Sequence, residues 1–104
     1  MTTPAQRNAE YRELVALFRE TLLLAAEERA DRDEFTEDGR ELEWVRHERG
    51  VMHGAVNRER GERGLPPVSL EAVMTAEQRA GGHSDYAAQF AYGCAGLVMG
   101  GEPR

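Results

Sequence analysis

His83-Ser84-Asp85 brings together the three residue types of a hydrolase triad. In such a triad a serine attacks an acyl carbon, a histidine takes its proton and an acid orients the histidine. Neighbours at the start of a helix point in different directions, so these three cannot form that relay. Gly81-Gly82 precedes them, and an uncharged stretch from Tyr86 to Gly101 follows. The same residues therefore read as a helix start, with Ser84 or His83 as the N-cap and Asp85 beside the positive end of the helix dipole. His83, Asp85 and Tyr86 remain candidates for contact with a ligand or partner.

The other reactive residues are scattered. His47 and His53 lie six positions apart, about 120° around a helix, and do not converge. Glu43 and His47 have i, i+4 spacing and could supply two metal ligands, but no motif supplies a third. We therefore expect no metal and no cofactor. Cys94 sits between Gly93 and Ala95 in the apolar run, where a thiol is inert. Arg58, Arg60 and Arg63 in "NRERGERGLPP" could grip phosphate or carboxylate through guanidinium forks. Glu59 and Glu62 interrupt them, and arginine at a helix C-terminus also complements the dipole. The segment lacks the G-K-[ST] ending of a phosphate loop. Arg60 and Arg63 are carried forward as contact candidates. Trp44 is carried as well, read as a core or helix-interface residue with an aromatic rim to a binding surface as the alternative. No acid–base set converges, so no catalytic residue and no enzyme is expected.

Composition narrows the classes further. The 104 residues suit one domain, 1–104, with one modest core. There is no lysine and no isoleucine; all 13 basic residues are arginine. Such usage follows GC-rich codons and weakens arginine clusters as a sign of phosphate binding. Residues 27–43, "EERADRDEFTEDGRELE", hold nine acids and three arginines and so carry the whole net charge of −6. The remainder is balanced, so direct nucleic-acid binding, which needs a basic face, is not expected. The acidic block is a solvated helix end and loop, or a partner for a basic surface. A single cysteine rules out an internal disulfide. The polar start "MTTPAQRNAEYRE" gives no expectation of a secretory leader. The uncharged run is shorter than the roughly 20 residues a bilayer span needs. The expectation is a cytoplasmic protein without a membrane segment.

Periodicity predicts an all-α fold, a small bundle of about four helices at residues 4–32, 39–61, 69–80 and 84–99. Thr3, Pro4 and Gln6 form a capping-box start. Tyr11, Leu14, Val15, Phe18, Leu22 and Ala25 or Ala26 mark one stripe, with Arg12, Glu13, Arg19 and Glu20 largely on the other side. At 1.5 Å per residue this helix is about 43 Å long, longer than a globule of this size is wide. The helix ends early, the molecule is elongated, or another chain covers part of it. Asp38 and Glu41 start the second helix, with Leu42, Val45, Arg49, Met52 and Val56 in its stripe. Gly50 and Gly54 are places where another backbone could approach, and the helix should stop near Gly61 or Gly64. Ser69 caps the third, Val68 and Val73 staple it, and Leu70, Val73, Met74 and Glu77 follow. The fourth carries Tyr86, Phe90, Cys94 or Gly93 and Leu97 on one face and Ala87, Ala91 and Ala95 on another. A helix apolar nearly all round is buried nearly all round, so it is the central element of the bundle or part of an oligomer interface.

Val56-Asn57, Arg60, Gly64-Leu65-Pro66-Pro67-Val68, Glu77, Gly82-His83-Ser84-Asp85-Tyr86, Phe90-Ala91, Cys94-Ala95 and Leu97 together resemble small helical proteins of actinobacterial phages and prophages. The likeness spans about residues 45–100. It implies a phage accessory protein in the host cytoplasm. Such a protein binds and disables a host component, or sequesters a small signalling molecule, without catalysis. Three expectations follow. The first is a non-enzymatic antagonist acting on a host protein through a protein–protein surface. The alternative is an oligomeric sponge for a nucleotide-like ligand, with Arg60, Arg63, His83, Asp85 and Tyr86 at a subunit junction. A role in virion assembly is a third.

Overall fold

The computed structural model describes residues 3–32 and 43–99, and of these the side chains of 3–27 and 45–99. The described chain forms four helices: α1 (Pro4–Arg32), α2 (Glu43–Glu62), α3 (Leu70–Ala80) and α4 (Tyr86–Met99). This is the expected all-α bundle. The expected start of α2 at Asp38 and most of the acidic block 27–43 lie outside the described residues.

Local signals set the helix ends. The Thr3 backbone amide donates to Gln6 Oε1 at 2.9 Å, and the Gln6 amide to Thr3 Oγ1 at 3.1 Å. This closes the capping box and satisfies two amides that the first turn would leave open. At the end of α2 the Leu65 amide donates to the Arg60 carbonyl and the Gly64 amide to the Gly61 carbonyl. Gly64 adopts φ 71° between them. That is the Schellman closure, which favours glycine. Ser69 caps α3, its Oγ accepting from the Ala72 amide at 3.3 Å. One cap differs from expectation. Asp85, not Ser84 or His83, caps α4, its carboxylate accepting from the Ala88 amide at 3.2 Å. Gly82 takes φ 84° in the turn between α3 and α4.

The core is built largely from the predicted stripes, joined by Ala76 and Ala80 of α3 and Val98 of α4 from outside them. Leu14, Phe18 and Leu22 of α1 meet Met52, Ala55 and Val56 of α2, Val73, Ala76 and Ala80 of α3, and Phe90 and Val98 of α4, and Ala25 is buried further along α1. Leu70 departs from its expected stripe: it is exposed at the first position of α3.

α4 is the central element. It packs against α1, α2 and α3, and Phe90, Ala91, Cys94, Ala95, Gly96 and Val98 are buried. Three helices of the same chain thus cover most of a helix that looked too apolar for so small a protein. The close approach occurs at Gly93, where an added Cβ would lie 2.8 Å from the Ala76 Cβ of α3. Gly50 and Gly54 do not play that part among the described residues, since a Cβ at either would meet nothing of them within 4 Å. Nor does α1 end early: it runs its full 29 residues. The molecule accordingly measures 51 × 28 × 22 Å.

Candidate functional site

The sequence candidates do not converge on one site. Arg60 is turned inward: its Nε donates to the Pro66 carbonyl and its Nη1 to the Leu97 carbonyl, both at 2.6 Å. Arg7 donates to the Met99 carbonyl at 3.0 Å. Two guanidinium groups thus satisfy carbonyls that the end of α4 leaves open and complement its negative dipole end. Arg63 binds Glu10 of α1, with its Nε at 2.9 Å and Nη2 at 2.8 Å from Glu10 Oε1. Its Nη1 donates to the Glu59 carbonyl. The anion-gripping geometry expected of Arg60 and Arg63 is therefore spent on carbonyls and a carboxylate of this chain.

His83 and Asp85 sit exposed at the corner between α3 and α4, and Asp85 is occupied as the cap. Tyr86 is 36% exposed and lies edge-on to Phe90 one turn later, ring centroids 5.8 Å apart. Its phenol is pushed up to about 12, first by burial, then by the carboxylates of Glu77 and Glu48. The side chain of Trp44 lies outside the described residues.

Two polar assemblies are structural. Arg49 of α2 and Glu77 of α3 form a nearly buried pair. Nη2 donates to Oε1 at 2.6 Å, and Nε lies 3.1 and 3.3 Å from the two oxygens. Both residues occupy positions in the apolar stripes, and that misplaced pair of opposite charges was the signal for the contact. The second assembly clamps the loop between α2 and α3. Asn57 Oδ1 accepts from the Val68 amide at 2.8 Å, while its Nδ2 donates to the Val68 carbonyl at 3.2 Å. His53 Nε2 lies 2.8 Å from the same carbonyl. A carbonyl only accepts, so this nitrogen carries the proton. The 3.0 Å approach of Asn57 Nδ2 to it then brings two donors side by side on one acceptor.

Cys94 is fully buried, and burial pushes its thiol up to about 12, which leaves it protonated and unreactive at neutral pH. Among the described residues, no three histidine, cysteine or acidic side chains are grouped to hold a metal ion. No described helix is long and apolar enough to cross a membrane.

An open feature lies elsewhere, along the flank of α1 that adjoins α4. A groove of about 510 Å³ runs between α1 and α4, lined by the apolar Val15, Ala16, Leu23 and Tyr92 and the charged Arg12, Arg19 and Glu20. Tyr92 is held over it by Tyr11. The rings stack at 6.2 Å and 26°, and the Tyr11 hydroxyl donates to the Tyr92 carbonyl at 3.1 Å. Leu23, Leu24 and Tyr92 are 42, 52 and 46% exposed. Single exposed apolar residues are ordinary, but Leu23 and Tyr92 line one groove. The sequence held a signal for this: Leu23 and Leu24 fall out of phase with the Leu14-Phe18-Leu22-Ala25 stripe.

Comparison of the chain with protein-family models, with curated proteins and with solved structures gave no match.

Proposed function

We propose that this is a non-enzymatic binding protein, a phage accessory antagonist that acts on a host component through a protein–protein surface. The observation that carries the reading is the groove between α1 and α4, which joins apolar and charged side chains. Interface cores are built this way, with aromatic and aliphatic anchors inside a polar rim. Tyr92 is the natural anchor: it is large, half exposed and fixed in place by Tyr11. Residues that would bind a nucleotide offer less. Arg60 and Arg63 donate to carbonyls and to Glu10, and Asp85 is a cap, so the geometry favours a protein surface over a nucleotide sponge.

The test is capture from an actinobacterial host lysate at low salt, wild type against Tyr92→Asp and Leu23→Asp. Both substitutions sit on exposed side chains and leave the core intact. The expected result is one stoichiometric host protein retained by the wild type and lost from both variants. Equal retention by all three, or no stoichiometric protein at all, overturns the reading.

A further inference from the structure

Arg12, Glu13, Arg19 and Glu20 are all exposed on α1. No oppositely charged residue stands three or four places from any of them, so none has the ion pair that a solvated helix ordinarily builds along itself. Their arrangement is two-sided instead. Taking Ala16 as the outward direction, Arg12 and Arg19 lie about 40–60° to one side and Glu13 and Glu20 about 40–60° to the other. Between the two edges runs a strip containing Ala16 and the half-exposed Leu23, diametrically opposite the core residues Phe18 and Ala25. One helix face thus has a positive edge, an apolar middle and a negative edge.

Such a face is complementary to itself in one orientation only. If two copies lie parallel, related by a twofold axis along the helices, the positive edge of each meets the negative edge of the other. If they lie antiparallel, the twofold is perpendicular to the helices and sets like edges together, arginine on arginine and glutamate on glutamate. We propose that a second copy of this chain seats on the outer side of α1 in parallel, Arg12 and Arg19 of one copy against Glu13 and Glu20 of the other. This rests on the reading of that side as a protein-binding surface and names its first occupant. Tyr92, beside the arginine edge, is then left at the rim of the junction, where a further partner would meet both copies. Exposed ion pairs are weak and screened, so the dimer weakens as salt rises.

The test uses the purified full chain alone. Light scattering at high protein concentration and low salt should give twice the 11.6 kDa chain mass. Arg12→Glu/Arg19→Glu should be monomeric, as should Glu13→Arg/Glu20→Arg. Mixing these two variants should restore the dimer, because every edge contact then joins opposite charges. All four residues are exposed, and circular dichroism checks that each variant is folded. Orientation is read by cysteine pairing, since the native Cys94 is buried. Ala9→Cys and Leu23→Cys should each form a disulfide-linked dimer in a parallel pair. In an antiparallel pair centred on Ala16 the Leu23 positions are about 21 Å apart and neither forms one. A monomeric wild type overturns the proposal, as does a dimer that both charge-reversed variants retain or one in which neither cysteine variant links. A monomer that still captures a host protein removes the dimer and leaves the function reading; a dimer that captures nothing does the reverse.

Discussion

Replacing Glu77 with leucine should destabilise the fold more than any change on its surface. The substitution takes from Arg49 the carboxylate to which two of its nitrogens donate, at 2.6 to 3.3 Å. The side chains keep only 11% and 13% of their exposure, so water replaces little of what is lost. Breaking such a pair from one side costs about 3–5 kcal/mol where the remaining charge has no other partner, and Arg49 has a further interaction that offsets part of this. The remaining tenth of exposure puts Glu77→Leu near the lower end, at about 3 kcal/mol. For a domain of this size that is roughly 12–24 °C in melting temperature. The double change Arg49→Met/Glu77→Leu removes both charges and fills similar space, so it should lie within about 1 kcal/mol of the wild type. Urea and thermal unfolding measure both. A second readout is local: Glu77 helps hold the Tyr86 phenol near 12, so tyrosinate absorbance in Glu77→Leu should show that residue titrating lower. A single variant within about 0.5 kcal/mol of wild type, or a double variant as unstable as the single, would refute the reasoning.

Two further outcomes follow from the packing of α4. Gly93→Val places branched carbon where even a Cβ would lie 2.8 Å from that of Ala76, and overpacking of this kind costs about 1–3 kcal/mol. Unfolding should show that loss, and adding Ala76→Gly should recover part of it. Cys94 has a folded-state pKa raised from 9.0 to about 12 by burial. Its contribution is whole below pH 9 and is lost as pH rises from about 9 to about 12, because only the unfolded thiol ionises in that window. Alkaline unfolding of Cys94→Ala should be flatter over that range than that of the wild type; identical profiles would show that the thiol is not buried as described.

Much of this architecture could be read in the residues. Thr3 with Gln6, Ser69, Gly64 and Gly82 mark helix ends because capping and left-handed turns are local chemistry, settled within a few positions. The stripes of α1 and α2 are equally local, set by the period of the helix. Several polar residues in the second half of the chain fix the packing of the elements. Asn57 holds Val68, Arg60 joins Pro66 to Leu97, Glu77 meets Arg49 and Asp85 caps α4. Their types and spacing could be seen, but not their partners. That is why Arg60 and Arg63 read as anion contacts: a guanidinium fork fits a carbonyl pair, a carboxylate or a phosphate, and only the distant chain decides which is present.

The sequence by itself determined four helices, the caps that open α1 and α3, the glycine that closes α2 and the excess apolar surface of α4, because each depends on neighbours within a turn or two. Tertiary structure decided where that surface went. α1, α2 and α3 enclose most of α4 because Gly93 lets α3 approach it at Ala76. Tyr92 is the exception, left over the groove against α1. Which apolar residues are hidden and which are left for a partner depends on how helices cross, and no periodicity within one helix contains that.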